Sequence, residues 1–367
     1  MILSDYKPFV ELIQVSIGIK DELSKMPTNK GWKVLFDMSK KQSLVGVCFA
    51  GLQRLGADAD EGFARIGISE MLYLTWMGMA AKIQQRNEVV NQQCISVCKL
   101  MSAANLDFCI IKGQQVGRHY DHPLLRQSGD IDVFVKGGMK HVVDYVQSCS
   151  PTKQITHQHI QMHVYDETEV EVHYVAAETH RPLCNKRLQK WFAGQKFEAN
   201  KDKYLNGLLV PSDEFNIVHS LVHSFNHMIG EGIGLRQVMD LYFLLQNCEE
   251  KRLELVSQLL KPFGLLKFTS GMMAVLKEVF QLSDGKLLCE PDLEYGRFLL
   301  EGVLEAGNFG QYGESSRAPK GESDLDRFIR VTRLNFRLFK YQPIDVICEP
   351  LWRIYNYFWM KFHGVTY

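Results

Sequence analysis

The sequence predicts an α+β fold: a small mixed β-sheet embedded between helical N- and C-terminal regions. Three observations predict it. A long apolar stripe at helical spacing occupies the stretch before residue 105. Short runs of strand type, each ended by glycine or a polar turn, fall between residues 106 and 175. After about residue 178 the apolar residues return to helical spacing. A chain of 367 residues has room for two domains, or for one with a large helical extension. The expected divisions are a helical region 1–105, an α/β core 106–210 and a helical region 211–367.

Each element has a local cause. Leu72, Trp76, Met79, Ile83, Val90, Cys94, Val97 and Met101 recur on one helical face, which predicts a helix from about Ser69 to Ala104 with Ser69 as its N-cap. Asp107 to Lys112 is a strand stopped by Gly113. A short helix from Gln114 to Tyr120 and a loop with Pro123 lead to a second strand, Gly129 to Val135. After Gly137-Gly138 comes a helix from Met139 to Cys149. His157 to Tyr165 and Val170 to Tyr174 both alternate, and a turn at Asp166 joins them as a hairpin. Ser212 caps a helix to about Met228, and another runs from Leu235 to Gln246. Helical segments follow at about 249–262, 264–282, 292–306, 324–340 and 343–362. Asn308 to Ser323, rich in Gly, Ser and Pro, reads as a loop.

Composition narrows the function. Forty-two basic side chains balance 42 acidic ones, so long nucleic acid is a poor candidate partner. No basic segment with an apolar stretch opens the chain, and no apolar run approaches the roughly 18–20 residues that span a bilayer. The nine cysteines are scattered, odd in number and never form a CxxC pair. Free thiols packed as small apolar groups in a reducing cytoplasm account for them.

The chemistry concentrates in the predicted sheet. Asp130 and Asp132 lie two apart in a strand and project from one face, while Ile131, Val133 and Val135 serve the other. Two carboxylates on one strand face form a hard-oxygen site suited to Mg²⁺ or Mn²⁺. Spacing alone does not decide, because Asp58/Asp60, Glu167/Glu169 and Asp324/Asp326 share it. The last pair follows Ser323 at the start of a helical pattern and reads as capping chemistry. Asp130/Asp132 has different neighbours. Upstream, a strand runs through Lys112 into Gly113 and a helix, where backbone N–H groups and an ammonium can meet a phosphate. Downstream, Glu171 stands between Val170 and Val172 as a third carboxylate.

Lys112-Gly113, Gly129-Asp-Ile-Asp132 and Val170-Glu-Val172 resemble the catalytic core of the DNA polymerase β-type nucleotidyltransferase superfamily. Arg126 before the acidic strand and His173 after Glu171 make the sequence similar to a branch of large, uncharacterised bacterial members. The resemblance covers about residues 106–175 and extends loosely to His223, His227, Arg236 and Asp240. It implies an enzyme that moves an NMP group from an NTP to a hydroxyl or amine acceptor. It implies two Mg²⁺ or Mn²⁺ ions, about 3.5–4 Å apart, held by Asp130, Asp132 and Glu171. Lys112, Gly113, Gln114, Gly129 and Arg126 would then meet the nucleotide. His173, His223 and His227 are candidates for the cleft or the acceptor. The family serine after glycine is Gln114 here. That departure keeps an alternative open: a catalytically silent member of the fold that binds a nucleotide or a protein.

Other polar residues have plainer readings. Arg118 and Arg126 flank the loop before the acidic strand, where each can meet a phosphate or form a surface ion pair. His219, His223 and His227 form an i, i+4, i+8 stripe that lacks the glutamate of an HExxH zinc motif. His157, His159 and His163 share one strand face, and His163 is the one expected near Glu171 if the hairpin pairs in register. The helix 344–362 reads as core or interface, since Arg353 and Lys361 make too small a basic face for anionic lipid.

Overall fold

The computed structural model describes residues 4–56, 62–200, 205, 207–230, 232–307 and 321–363. It opens with helices α1 (Lys7–Ser16), α2 (Asn29–Lys41) and α3 (Val45–Arg54), and a short α4 (Gly62–Arg65) leads to α5 (Glu70–Ala103). At 34 residues, α5 is about 51 Å long. Its first half buries Tyr73, Trp76 and Ala80 in a core made by the terminal helices. Its second half buries Val90, Cys94, Val97 and Met101 against the sheet. One continuous helix therefore spans both cores. Ser69 occupies the N-cap position, but its side chain makes no capping bond. Its backbone N–H donates to Asn29 Oδ1 at 2.9 Å instead.

The sheet then forms from β1 (Phe108–Ile111), β2 (Ile131–Val135), β3 (His159–Gln161) and β4 (Val170–His173), with α6 (Gly113–Gly117) and α7 (Gly138–Cys149) between them. The strand order is β1-β2-β4-β3. β1 runs antiparallel to β2, β2 parallel to β4, and β3 antiparallel to β4 as the expected hairpin. Ile110, Ile131, Val133, Val135, Val170 and Val172 bury one sheet face against α5 and α7. On the other face Cys109, Ile111 and Phe134 join the helical core. The next positions along that face carry the carboxylates.

After α8 (Pro182–Ala193), a two-stranded hairpin of β5 (Phe197–Ala199) and β6 (Leu209–Pro211) appears that sequence reasoning missed. Strands of three residues are too short for alternation to register. The remaining helices are α9 (Asp213–Gly230), α10 (Leu235–Asn247), α11 (Glu250–Leu260), α12 (Leu266–Phe280), α13 (Leu293–Ala306), α14 (Asp324–Asn335) and α15 (Pro343–Phe362). Ser212 Oγ accepts from Phe215 N, and Ser323 Oγ accepts from Asp326 N, both at 3.2 Å, so these two of the three predicted serine caps form. Asp324/Asp326 is helix-start chemistry, as expected. Residues 308–320 of the predicted loop, and Asp58/Asp60, lie outside the described residues.

The terminal helical regions share a single core. Gln14 Nε2 donates to Val279 O at 2.8 Å, Gln42 Nε2 to Val303 O at 3.0 Å, and Leu235 N to Gln42 Oε1 at 2.8 Å. All nine cysteines are free. Among the described residues no helix is long and apolar enough to cross a membrane.

α3 supports the loop that precedes β2. An added Cβ at Gly46 would stand 2.3 Å from the Leu125 carbonyl oxygen, a backbone atom with little freedom to yield. Gly46→Ala is therefore expected to destabilise the fold by about 1–3 kcal/mol. Urea unfolding should show a lower midpoint at unchanged m-value. An unchanged midpoint would mean that the loop is not seated on α3.

Candidate active site

Strand register assembles the site. Asp132 pairs with Glu171 across the parallel β2–β4 ladder, and Ile111 pairs with Asp132 across β1–β2. Paired residues share a face, so Asp132 and Glu171 stand side by side. Asp130 lies two residues before Asp132, and Lys112 follows the last residue of β1. Lys112 has φ +55° and ψ −131°, a conformation rare for a residue with a side chain. Such strain costs about 1–3 kcal/mol and is held here by β1 on one side and α6 on the other.

The charges compensate one another at short range. Lys112 Nζ donates to Asp132 Oδ1 at 2.7 Å and lies 4.0 Å from Glu171 Oε2. His173 Nε2 donates to the same Asp132 oxygen at 2.9 Å and lies 3.2 Å from Glu171 Oε2. Burial works against every charge here, but the pairing prevails. Lys112 and His173 hold Asp132 far below the usual carboxylate range, and the His173 hydrogen bond lowers Glu171. Asp132 and Glu171 in turn hold Lys112 above its ordinary value, and hydrogen bonds to both carboxylates raise His173. Asp130 differs. Desolvation, then the nearby carboxylates of Asp132, Glu171 and Glu169, push it up to about 6.

The carboxylates open into a cavity of about 300 Å³. Lys112, Gly113, Gly129, Asp130, Asp132 and Glu171 form one wall; α9 and α10 supply the other, with His219, His223, His227 and Arg236. Sequence reasoning missed Asn216, Ser220 and Ser224 on this wall, although their i, i+4, i+8 spacing on α9 is a readable polar stripe. Burial pushes His219 down to about 3, so the ring next to this cluster is neutral. His223 is also lowered by burial and by His227.

Several expected contacts take other positions. Gln114 is buried, and it lines a small void with Asn87 and Asn91 rather than this cavity. His173 sits behind the carboxylates and does not line the cavity. Near Glu171 stands His159, with Nε2 at 3.5 Å from Oε1, whereas His163 pairs with Thr152 at 3.2 Å. Alternation along a strand gives the face but not the depth, which explains the exchange. Arg118 donates to Asn200 Oδ1 at 3.1 Å, outside the cavity lining.

Arg126 lines the cavity, yet its fork serves a structural pair. Nε and Nη2 each donate to Asp240 at 2.7 Å, and Tyr120 Oη donates to the same carboxylate at 2.6 Å. Asn87 Nδ2 donates to Leu124 O and Arg126 O, and Arg236 Nη1 donates to Gln127 O. The loop entering β2 is thus tied to α5 and α10. The lone acid amid Val238, Met239, Leu241 and Tyr242 is the signal in the sequence, because a buried charge requires a partner.

A family described as uncharacterised nucleotidyltransferase matches residues 28–281. The chain belongs to this nucleotidyltransferase family. The match takes in every residue of the cavity and ends at α12. The chain is also similar to a solved structure, an antigenic nucleotidyltransferase-like protein from Paracoccidioides brasiliensis, at 11% identity and a TM-score of 0.35. That similarity covers 59% of this chain and 98% of the other. No curated protein matches.

The donors present fit the divalent cations that such a family implies. Asp130, Glu169 and Glu171 bring ligand atoms within 4.8 Å of one another, an all-oxygen set suited to Mg²⁺ or Mn²⁺. The raised Asp130 carboxyl reflects desolvation and then three neighbouring carboxylates, which the Lys112 ammonium offsets only in part. Glu169 was not foreseen as a ligand, although it stands two residues before Glu171. Asp132 faces the same cluster but is engaged by Lys112 and His173.

Breaking the buried pair has a definite cost. Asp240→Ala leaves Arg126 buried without its partner and is expected to destabilise the fold by about 3–5 kcal/mol. Arg126→Met/Asp240→Leu should recover most of that loss. A double-mutant cycle by urea unfolding checks both; additive losses would show that the two side chains do not interact.

Proposed function

We propose that the chain is a metal-dependent nucleotidyltransferase, moving an NMP group from an NTP to a hydroxyl or amine acceptor. The observation that carries this reading is the Asp132–Glu171 pair, registered across parallel strands with Asp130 beside it, facing a cavity lined by Lys112 and Arg236. Asp130, Asp132 and Glu171, with Glu169 at the rim, would hold Mg²⁺ or Mn²⁺. Such ions lower the pKa of the acceptor group and neutralise the pyrophosphate that leaves.

The chain's own groups supply the rest. Lys112 is a charged donor at the cavity wall, and its ammonium can pass from Asp132 to a phosphate oxygen when a nucleotide enters. It is the main phosphate contact, because α6 has only five residues and a correspondingly small dipole. Arg236 adds a second cation, and Arg126 orients the loop that carries Gly129 and Asp130. Glu171 accepts the acceptor's proton as the new bond to the α-phosphorus forms and the bond to the bridging oxygen breaks. His173 keeps Asp132 and Glu171 oriented from behind. The free, mostly buried cysteines support a reducing, cytoplasmic setting, and the balanced charge favours a small or compact acceptor over long nucleic acid.

Two observations favour a second reading, a silent nucleotide- or protein-binding module. Lys112 already neutralises the carboxylate pair, and Gln114, in place of the family serine, lines a separate void rather than the cavity. Transfer from α-labelled NTPs to sugars, small amines, tRNA ends and protein hydroxyls separates the two. Transfer that Asp132→Asn reduces to background, with melting temperature retained, supports the enzyme. Activity retained in Asp132→Asn removes the assignment of the site. Binding without turnover on any acceptor supports the second reading.

A further inference from the structure

The carboxylate cluster has nitrogen donors as well as oxygens. His159 pairs with His173 across β3 and β4, and Gln161 pairs with Glu171, so both rings share the face of Glu171. His159 Nε2 lies 3.5 Å from Glu171 Oε1, and His173 Nε2 lies 3.2 Å from Oε2. The ligand atoms of these three residues all fall within 4.8 Å of one another. An ion with bonds of 2.0–2.1 Å needs tetrahedral edges of about 3.3–3.4 Å, and each ring nitrogen already lies near that distance from one of the two oxygens of Glu171.

A second observation concerns the far side of the rings. Nδ1 of His159 and Nδ1 of His173 are both buried and lack any hydrogen-bond partner, and His173 is only 2% exposed. Buried polar atoms are nearly always paired, so two orphaned imidazole nitrogens in one cluster require an explanation. His173 Nε2 donates to Asp132 Oδ1, and a bound ion would replace that hydrogen bond; because no acceptor fixes either Nδ1, each ring can carry its proton there and present its Nε2 lone pair to the ion. Asp132 remains paired with Lys112, outside this donor set.

We propose that His159, His173 and Glu171 form a transition-metal site that takes an ion of the Zn²⁺, Co²⁺ or Ni²⁺ class through two nitrogens and a carboxylate. Imidazole suits these ions, whereas Mg²⁺ keeps oxygen ligands and water. The site shares Glu171 with the oxygen cluster but binds its ion without a nucleotide, so it stands whether or not the chain transfers a nucleotidyl group.

Co²⁺ titration of the metal-free, full-length protein without nucleotide, followed by visible absorption and calorimetry, tests it. The expected result is one Co²⁺ per chain with a tetrahedral absorption band, displaced by Zn²⁺ but not by a large excess of Mg²⁺. His159→Ala and His159→Gln should each weaken binding at least as much as the roughly 10–100-fold typical of losing an outer-shell partner. Their melting temperatures and circular dichroism establish that they fold. His163→Ala, at a ring bonded to Thr152, should bind as the wild type does. Three outcomes overturn the proposal: wild-type Co²⁺ affinity in either folded His159 variant, equal loss in His163→Ala, or displacement by Mg²⁺ as effective as by Zn²⁺. Absence of nucleotidyl transfer bears on none of them.

Discussion

Two carboxylates held side by side in a mostly buried site must be compensated, and this constraint organises the structure. Asp132 and Glu171 are neighbours because β2 and β4 run parallel in register. Without a counter-charge their mutual repulsion and desolvation would favour protonation. Lys112 and His173 supply that charge from the adjoining strands, each within 4.0 Å of both carboxylates. The price is a lysine with positive φ at the junction of β1 and α6. Asp130, nearer solvent and lacking such a partner, is left with a carboxyl near 6. The balance is complete around Asp132 and incomplete around Asp130, so the less compensated oxygens lie on the outer side of the cluster.

The scaffold keeps this arrangement from relaxing. α5 passes through both hydrophobic cores and fixes the sheet against the helical body. The loop into β2 rests on α3 at Gly46 and is tied to α10 through Arg126 and Asp240, with Tyr120 as a third member of the network. The α9 wall of the cavity hangs from the same body, since His219 Nε2 donates to Ala176 O, just beyond β4. Cavity walls from separate segments thereby share one framework, as preorganised chemistry requires.

Much of this was legible in the sequence because it depends on local pattern. Alternation located β2 and β4 and gave the faces of Asp130, Asp132 and Glu171; the helical stripe located α5 within a residue at each end. What escaped depends on distance. Arg126 reads as a phosphate contact until Asp240, 114 residues later, takes up its fork. His163 and His159 share one face of the alternating pattern in the sequence, but β3 ends at Gln161 and the hairpin register brings only His159 alongside β4. Gln114 is a departure from the family's residue, but which void it faces is set by how α6 packs. β5 and β6 are too short to leave a periodic trace.

The most direct test of the central claim is calorimetric titration of each NTP, with Mg²⁺ or Mn²⁺, into the wild type and into Asp130→Asn/Asp132→Asn. The account predicts metal-dependent binding of at least one NTP to the wild type and its loss in the folded double variant. Equal binding by both proteins would contradict the account, because the nucleotide would then bind without these carboxylates.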